Sequence, residues 1–245
     1  SPLLDSPVYG ADAKYYYGYI AYKDDDFVSA DKYLSESAAS KNDKDIPYFL
    51  ANIKFKTGKF QEAIDAGVPL YEKTNGLQKS ELSKIIGESY FNLGDFENAI
   101  PYLENYEGVK GRWNNTDFYM LGYAYYKQKD YETAITWFNK IIDGKNAVSQ
   151  NAYYHLAECY MRTDKKSEAL NAFRNAYQMD FDQTIKQDAW LNYAKLSYEI
   201  GNPYESTPEL IKAYLAKYPT DISAKDLNSI LISSYLSEND YEGAL

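Results

Sequence analysis

Apolar residues return at three- and four-residue steps along the chain, as between Tyr131 and Lys140, a spacing that predicts helices with one packed face. Short polar turns interrupt the pattern and an aromatic residue reopens it: Asp26-Phe27, Gly58-Lys59-Phe60, Gly94-Asp95-Phe96, Lys129-Asp130-Tyr131 and Asn239-Asp240-Tyr241. Each turn separates a helix A from a helix B. A small residue stands in helix A at intervals of 33 to 37 residues, at Gly18, Ala51, Gly87, Gly122, Ala157 and Ala194. Twelve residues after each of the first five stands an alanine in helix B, at Ala30, Ala63, Ala99, Ala134 and Ala169, and Ala244 holds the same distance from Ile232.

Close packing explains the register. Two helices reach the short end of the usual ~8–10 Å separation only where the side chains at their crossing are small. The aromatic that opens helix B fills the notch beside the turn, and the bulky B residues Leu34, Leu103, Phe138 and Phe173 pack between successive repeats. The expected fold is all-α, a solenoid of about seven antiparallel helix pairs over residues 11–245, preceded by an extension at residues 1–10.

The run Leu121-Gly122-Tyr123-Ala124-Tyr125-Tyr126-Lys127-Gln128-Lys129-Asp130-Tyr131-Glu132-Thr133-Ala134-Ile135 resembles the tetratricopeptide consensus. Copies starting near Asp12, Asp45, Glu81 and Asn151 are similar to it. Two copies depart from the pattern. In the sixth, Gly201-Asn202-Pro203 lengthens the turn, so helix B is expected to start late, capped by Ser206 or Thr207 with Pro208 in its first turn. In the seventh, Ile232 replaces the small residue. The resemblance implies a right-handed superhelix with helix A lining its concave face. It carries no reaction with it.

Composition narrows the function. There are 36 acidic against 26 basic residues, a net charge of −10, which opposes the counterion-releasing contacts that drive nucleic-acid binding and disfavours anionic lipid. No apolar run approaches the ~18 residues of a membrane span. The one cysteine, Cys159, and the one histidine, His155, lie four apart on a helix with no further ligand in sight, so neither a metal site nor a cofactor is expected. Phosphate-cradling glycine loops, a Gly-x-Ser-x-Gly elbow and a His-Glu-x-x-His pair are absent, and a solenoid without insertions offers no closed pocket for acid–base work, so no enzyme is expected.

The 28 tyrosines change the picture most. On the resemblance, groove residues lie three before, one after and four after each small residue. They are Tyr15, Tyr19 and Tyr22; Tyr48, Asn52 and Phe55; Lys84, Glu88 and Phe91; Tyr119, Tyr123 and Tyr126; Tyr154, Glu158 and Met161; and Leu191, Lys195 and Tyr198. Eleven of the eighteen are aromatic, which points to a groove that holds an extended or helical segment of a partner protein. Two other readings stand beside it: tyrosines that only pack on one another, and a surface that stacks on sugar rings, as in a carbohydrate-binding module of the outer membrane. The clamp for acidic chaperone tails in related repeats uses Lys and Asn where this chain has chiefly Tyr15, Tyr19 and Tyr48, and only Asn52 resembles it.

Smaller features have simpler explanations. Trp113, in a loop rich in Gly and Asn, is expected to cover helix ends, Asp24-Asp25-Asp26 to form a solvated turn, and Asn114-Asn115-Thr116 to matter as a glycosylation acceptor only in a eukaryotic secretory setting. The last copy breaks off within its helix B at Leu245, which suggests a longer protein, or a structural spacer that self-associates through an uncapped end. Tyr214 to Pro219 is similar to helix ends in bacterial cell-envelope tetratricopeptide proteins, which places the chain in the periplasm or at the outer membrane, with the cytoplasm as the alternative.

Overall fold

The computed structural model describes residues 3–41, 43–141 and 144–237. The expected turn at Asn239-Asp240-Tyr241, Ala244 and the chain end at Leu245 lie outside the described residues. Among the described residues there are thirteen α-helices and no β-strand, with one antiparallel bridge between Val109 and Arg112.

The chain divides into two units, residues 1–128 and 129–245. The first holds α1 (Gly10–Lys23), α2 (Phe27–Ser35), α3 (Ile46–Lys56), α4 (Phe60–Tyr71), α5 (Gly76–Asn92), α6 (Phe96–Glu104) and α7 (Asn115–Lys127). Each helix packs on the next in sequence, and α3 and α5, and α5 and α7, also touch. The second unit holds α8 (Tyr131–Phe138), α9 (Ala147–Arg162), α10 (Lys166–Gln178), α11 (Gln183–Ile200), α12 (Thr207–Lys217) and α13 (Ala224–Ser237), again packed in chain order, with α9 on α11 and α11 on α13. Sequential neighbours plus every second helix is the contact pattern of a helical solenoid.

The turns between helices A and B are built alike. Seven residues after each small residue, Asp25, Gly58, Gly94, Lys129, Asp164 and Gly201 all adopt positive φ, between 58° and 81°. This left-handed residue ends helix A and lets the chain reverse. The following residue caps helix B: Asp26, Asp95 and Asp130 accept hydrogen bonds from the backbone nitrogens of Ser29, Asn98 and Thr133 at 3.1–3.2 Å. Lys59 and Lys165 occupy the same place without a side-chain cap. The run Asp24 to Asp26 is therefore a turn and a cap. α12 starts at Thr207 with Pro208 in its first turn, the late start expected of the sixth copy, although the Ser206 side chain makes no capping bond.

The small residues work as the register requires. A Cβ on Gly18 would lie 2.8 Å from Leu34 Cγ and 2.9 Å from Leu34 N, and one on Gly87 would lie 2.9 Å from Leu103 Cδ2. The notch is thus filled by leucine from helix B of the same repeat, a tighter role for Leu34 and Leu103 than bridging successive repeats. Ala30, Ala63, Ala99, Ala134 and Ala169 are wholly buried. Between repeats the notch recurs at Gly67, where a Cβ would meet Ile86 Cγ1 at 2.9 Å.

Candidate functional site

In the first unit the A helices α1, α3, α5 and α7 carry the expected groove residues. Tyr15 is a correction to an exposed row: it is only 7% exposed, with its ring near Tyr16 and Tyr19, and belongs to the core. Tyr19, Tyr22, Tyr48, Phe55, Phe91, Tyr119, Tyr123 and Tyr126 are half-buried. They form ladders through their neighbours. Tyr19 and Tyr22 meet Phe49 of α3 at 5.4 and 5.0 Å between centroids, Phe91 meets Phe96 and Tyr123 at 5.3 and 5.8 Å, and Tyr119 and Tyr126 each stand 5.8 Å from Tyr123. Most of these contacts are edge-on or tilted, the favoured geometry for aromatic rings. So the rings partly satisfy one another, as a packing-only reading requires, and still keep area open to solvent.

Polar groups are set among the rings. Lys84 Nζ lies 3.3 Å from Asp117 Oδ1, 3.5 Å from Glu88 Oε1 and 4.7 Å from the centre of the Tyr106 ring. Asp117 also accepts from the Asn114 backbone nitrogen at 2.9 Å, closing a reciprocal cap in which Asn114 Oδ1 accepts from Thr116 N and Asp117 N. The Asn114 side chain is therefore committed to starting α7. Burial works against the charge of Lys84, but Glu88 and Asp117 outweigh it and raise its pKa. For Glu88 burial wins over Lys84, and its carboxyl titrates above its ordinary range. Burial, with neighbouring Tyr22 and Glu81, pushes Tyr48 up to about 12.

Asn52 is 8% exposed, and its Oδ1 is buried with no hydrogen-bond partner among the described residues. Trp113 donates Nε1–H to the Tyr106 carbonyl at 2.6 Å and stacks near Tyr106 and Phe118, so it seals the α6–α7 connection as expected. Asp117, Tyr106 and Glu81, which shape this wall electrostatically, were outside the expected set. Their part depends on which neighbouring repeat they face.

The second unit offers less. Tyr154 is half-buried, edge-on to His155 and Phe173, and burial, with Glu158 and Asp188, pushes it up to about 12. Glu158 lies 2.9 Å from His155 Nδ1. Met161 and Tyr198 are exposed, while Leu191 and Lys195 are half-buried. Cys159 is wholly buried, and burial with Glu158 pushes its thiol up to about 12. No group of three or more metal-ligating side chains occurs among the described residues. No helix among them is long and apolar enough to cross a membrane.

Three tyrosines of this unit, Tyr193, Tyr214 and Tyr235, are core. Tyr193 and Tyr214 are fully buried, with hydroxyls donating to Glu205 and Asp221 at 2.9 Å each. Asn202 Nδ2 donates to the Tyr193 hydroxyl at 2.9 Å and to Ser197 Oγ at 2.8 Å. The lengthened turn of the sixth copy is thus organised around a buried tyrosine.

Residues 92–176 match the family model described as anaphase-promoting complex, cyclosome, subunit 3. No curated protein matches the chain. Among solved structures it is similar to MamA 41-end from Desulfovibrio magneticus RS-1, at 20% identity and a TM-score of 0.55, over 69% of this chain and 94% of that one. It is also similar to a tetratricopeptide repeat protein from Parabacteroides merdae ATCC 43184, at 18% identity and a TM-score of 0.54, over 96% of this chain and 89% of that one. These likenesses show the fold, an all-α helical solenoid of the tetratricopeptide-like kind, in agreement with the repeat register and the paired helices.

Proposed function

We propose that the chain is a non-catalytic scaffold that holds a segment of another protein against the A-helix wall of its first unit. The observation that carries this reading is the half-buried state of Tyr19, Tyr22, Tyr48, Phe55, Phe91, Tyr119, Tyr123 and Tyr126, spread over four successive A helices. Rings serving only the core would be covered, as Tyr193 and Tyr214 are. Aromatic area left open beside hydroxyls and carboxylates is what recognition surfaces use. The edge-on packing favours a peptide over a sugar, because a sugar ring stacks on a flat, uncovered aromatic face. Buried Cys159, with its thiol held neutral, is no nucleophile, and His155 is engaged by Glu158, which supports a binding role over a catalytic one.

The test is affinity capture from the native source with the intact protein and with Tyr119, Tyr123 and Tyr126 replaced by Ser. A companion variant with Phe at the three positions keeps the packing. Capture lost in the Ser variant at an unchanged melting temperature supports the scaffold. Capture equal to wild type by a folded Ser variant, or gross unfolding of the Ser variant, assigns the rings to packing and overturns it.

A further inference from the structure

The first unit's wall holds more acceptors than its own donors satisfy. Asn52, more than nine-tenths buried on α3, has an Oδ1 without a donor among the described residues, a situation that folded proteins rarely leave unmet. One helical turn away on the same stripe stands Tyr48, and α3 packs directly on α5. There Glu81, Lys84 and Glu88 follow at three- and four-residue steps. The one cation among them is already engaged by Glu88 and Asp117. Glu81 makes no ion pair or side-chain hydrogen bond among the described residues. Burial raises the pKa of Tyr22, Tyr48 and Tyr106, and the charge of the half-buried Glu81 carboxylate adds to the rise at all three.

We propose that the wall between α3 and α5 takes a cationic side chain, an arginine or lysine, carried by the bound protein segment. An unpaired carboxylate, an orphaned amide oxygen and tyrosine faces are together what a guanidinium or ammonium recognises: it only donates, and it stacks on aromatic rings. Tyr48 is half-buried, so part of its ring stays open to an incoming group one helical turn from Asn52. The acidic balance of the chain, −10, draws the same class of partner. The proposal rests on the scaffold reading and names the chemistry of its ligand.

The experiment titrates the isotope-labelled intact chain with capped five-residue peptides, Ser-Ala-X-Ala-Ser, where X is arginine, lysine, citrulline or glutamate, and follows backbone and side-chain amide resonances. The arginine and lysine peptides are expected to bind ~10-fold or more tightly than the citrulline peptide, since a hydrogen bond to a charged group is lost. They should also shift the Asn52 side-chain amide, and Glu81→Gln should erase the preference while the spectrum stays dispersed. Citrulline or glutamate binding at this wall as well as arginine would overturn the cationic assignment and leave the scaffold standing. No shift on α1, α3, α5 or α7 with any of the peptides would overturn the assignment, and the capture experiment then decides the scaffold separately.

Discussion

Gly87 on α5 and Leu103 on α6 leave no room for a methyl group between them: a Cβ on Gly87 would sit 2.9 Å from Leu103 Cδ2 and 3.0 Å from the Leu103 backbone nitrogen. A side chain can swing away, but a backbone nitrogen in a helix cannot. Gly87→Ala is therefore expected to destabilise the protein by about 1–3 kcal/mol, the usual range for overpacking, measured by urea unfolding. Leu103→Ala alone should cost about 2–5 kcal/mol. The double variant should cost less than the sum, because the cavity left by one accepts the methyl of the other. Additivity would show that the two helices do not meet here.

Lys59 stands at the N-cap of α4 with φ −85° and ψ 62°, close to Asp26, Asp95 and Asp130 at theirs. Those aspartates cap, and Lys59 cannot. Lys59→Asp is expected to raise stability by about 1 kcal/mol, through a new bond to the third helical nitrogen and a charge suited to the helix N-terminus. A higher urea midpoint checks it.

Gln150 of α9 is wholly buried and ties the α10–α11 connection to the second unit. Its Nε2 faces the carbonyls of Ala176, Met179 and Asp182 at 3.1–3.2 Å, and its Oε1 accepts from the nitrogens of Phe181 and Asp182 at 3.2 and 2.7 Å. Gln150→Leu keeps the volume but orphans these backbone groups, at a cost of about 3 kcal/mol or more when each lost partner is worth about 1–3. Faster amide exchange at residues 179–182 is the local signature.

Cys159 gives a pH prediction with a definite sign. Burial lifts its thiol from the ordinary 9.0 to about 12, so between those values the folded chain keeps a proton that the unfolded chain releases. This contribution to stability is complete below pH 9 and declines as the pH climbs towards 12. In practice iodoacetamide should leave the native protein unmodified at pH 8 and label it after unfolding in urea. Rapid native labelling would mean that the thiol is not where α9 places it.

The fold was readable because its rules are local. Gly18, Ala51 and Gly87 mark helix crossings by size alone, and Asp26, Asp95 and Asp130 mark helix starts by chemistry alone. The wall was only half readable. Tyr193 and Tyr198 look alike in sequence and sit five apart on α11, yet one is fully buried and the other 44% exposed, because they point to different faces. Glu81 and Asp117 act through residues a repeat away, and no pattern within one repeat reports that. Asn52 matched a groove position in sequence, but the sequence could not show that its oxygen would be left without a donor.

Photo-cross-linking tests the wall most directly. A photoreactive phenylalanine analogue in place of Tyr126, on α7, is compared with the same analogue in place of Val28, which is 84% exposed on α2. Irradiated in the native source, the first is expected to become joined to a segment of a second protein, and the second is expected to remain unlinked. Equal yields at the two positions, or linkage from position 28 alone, would contradict the account.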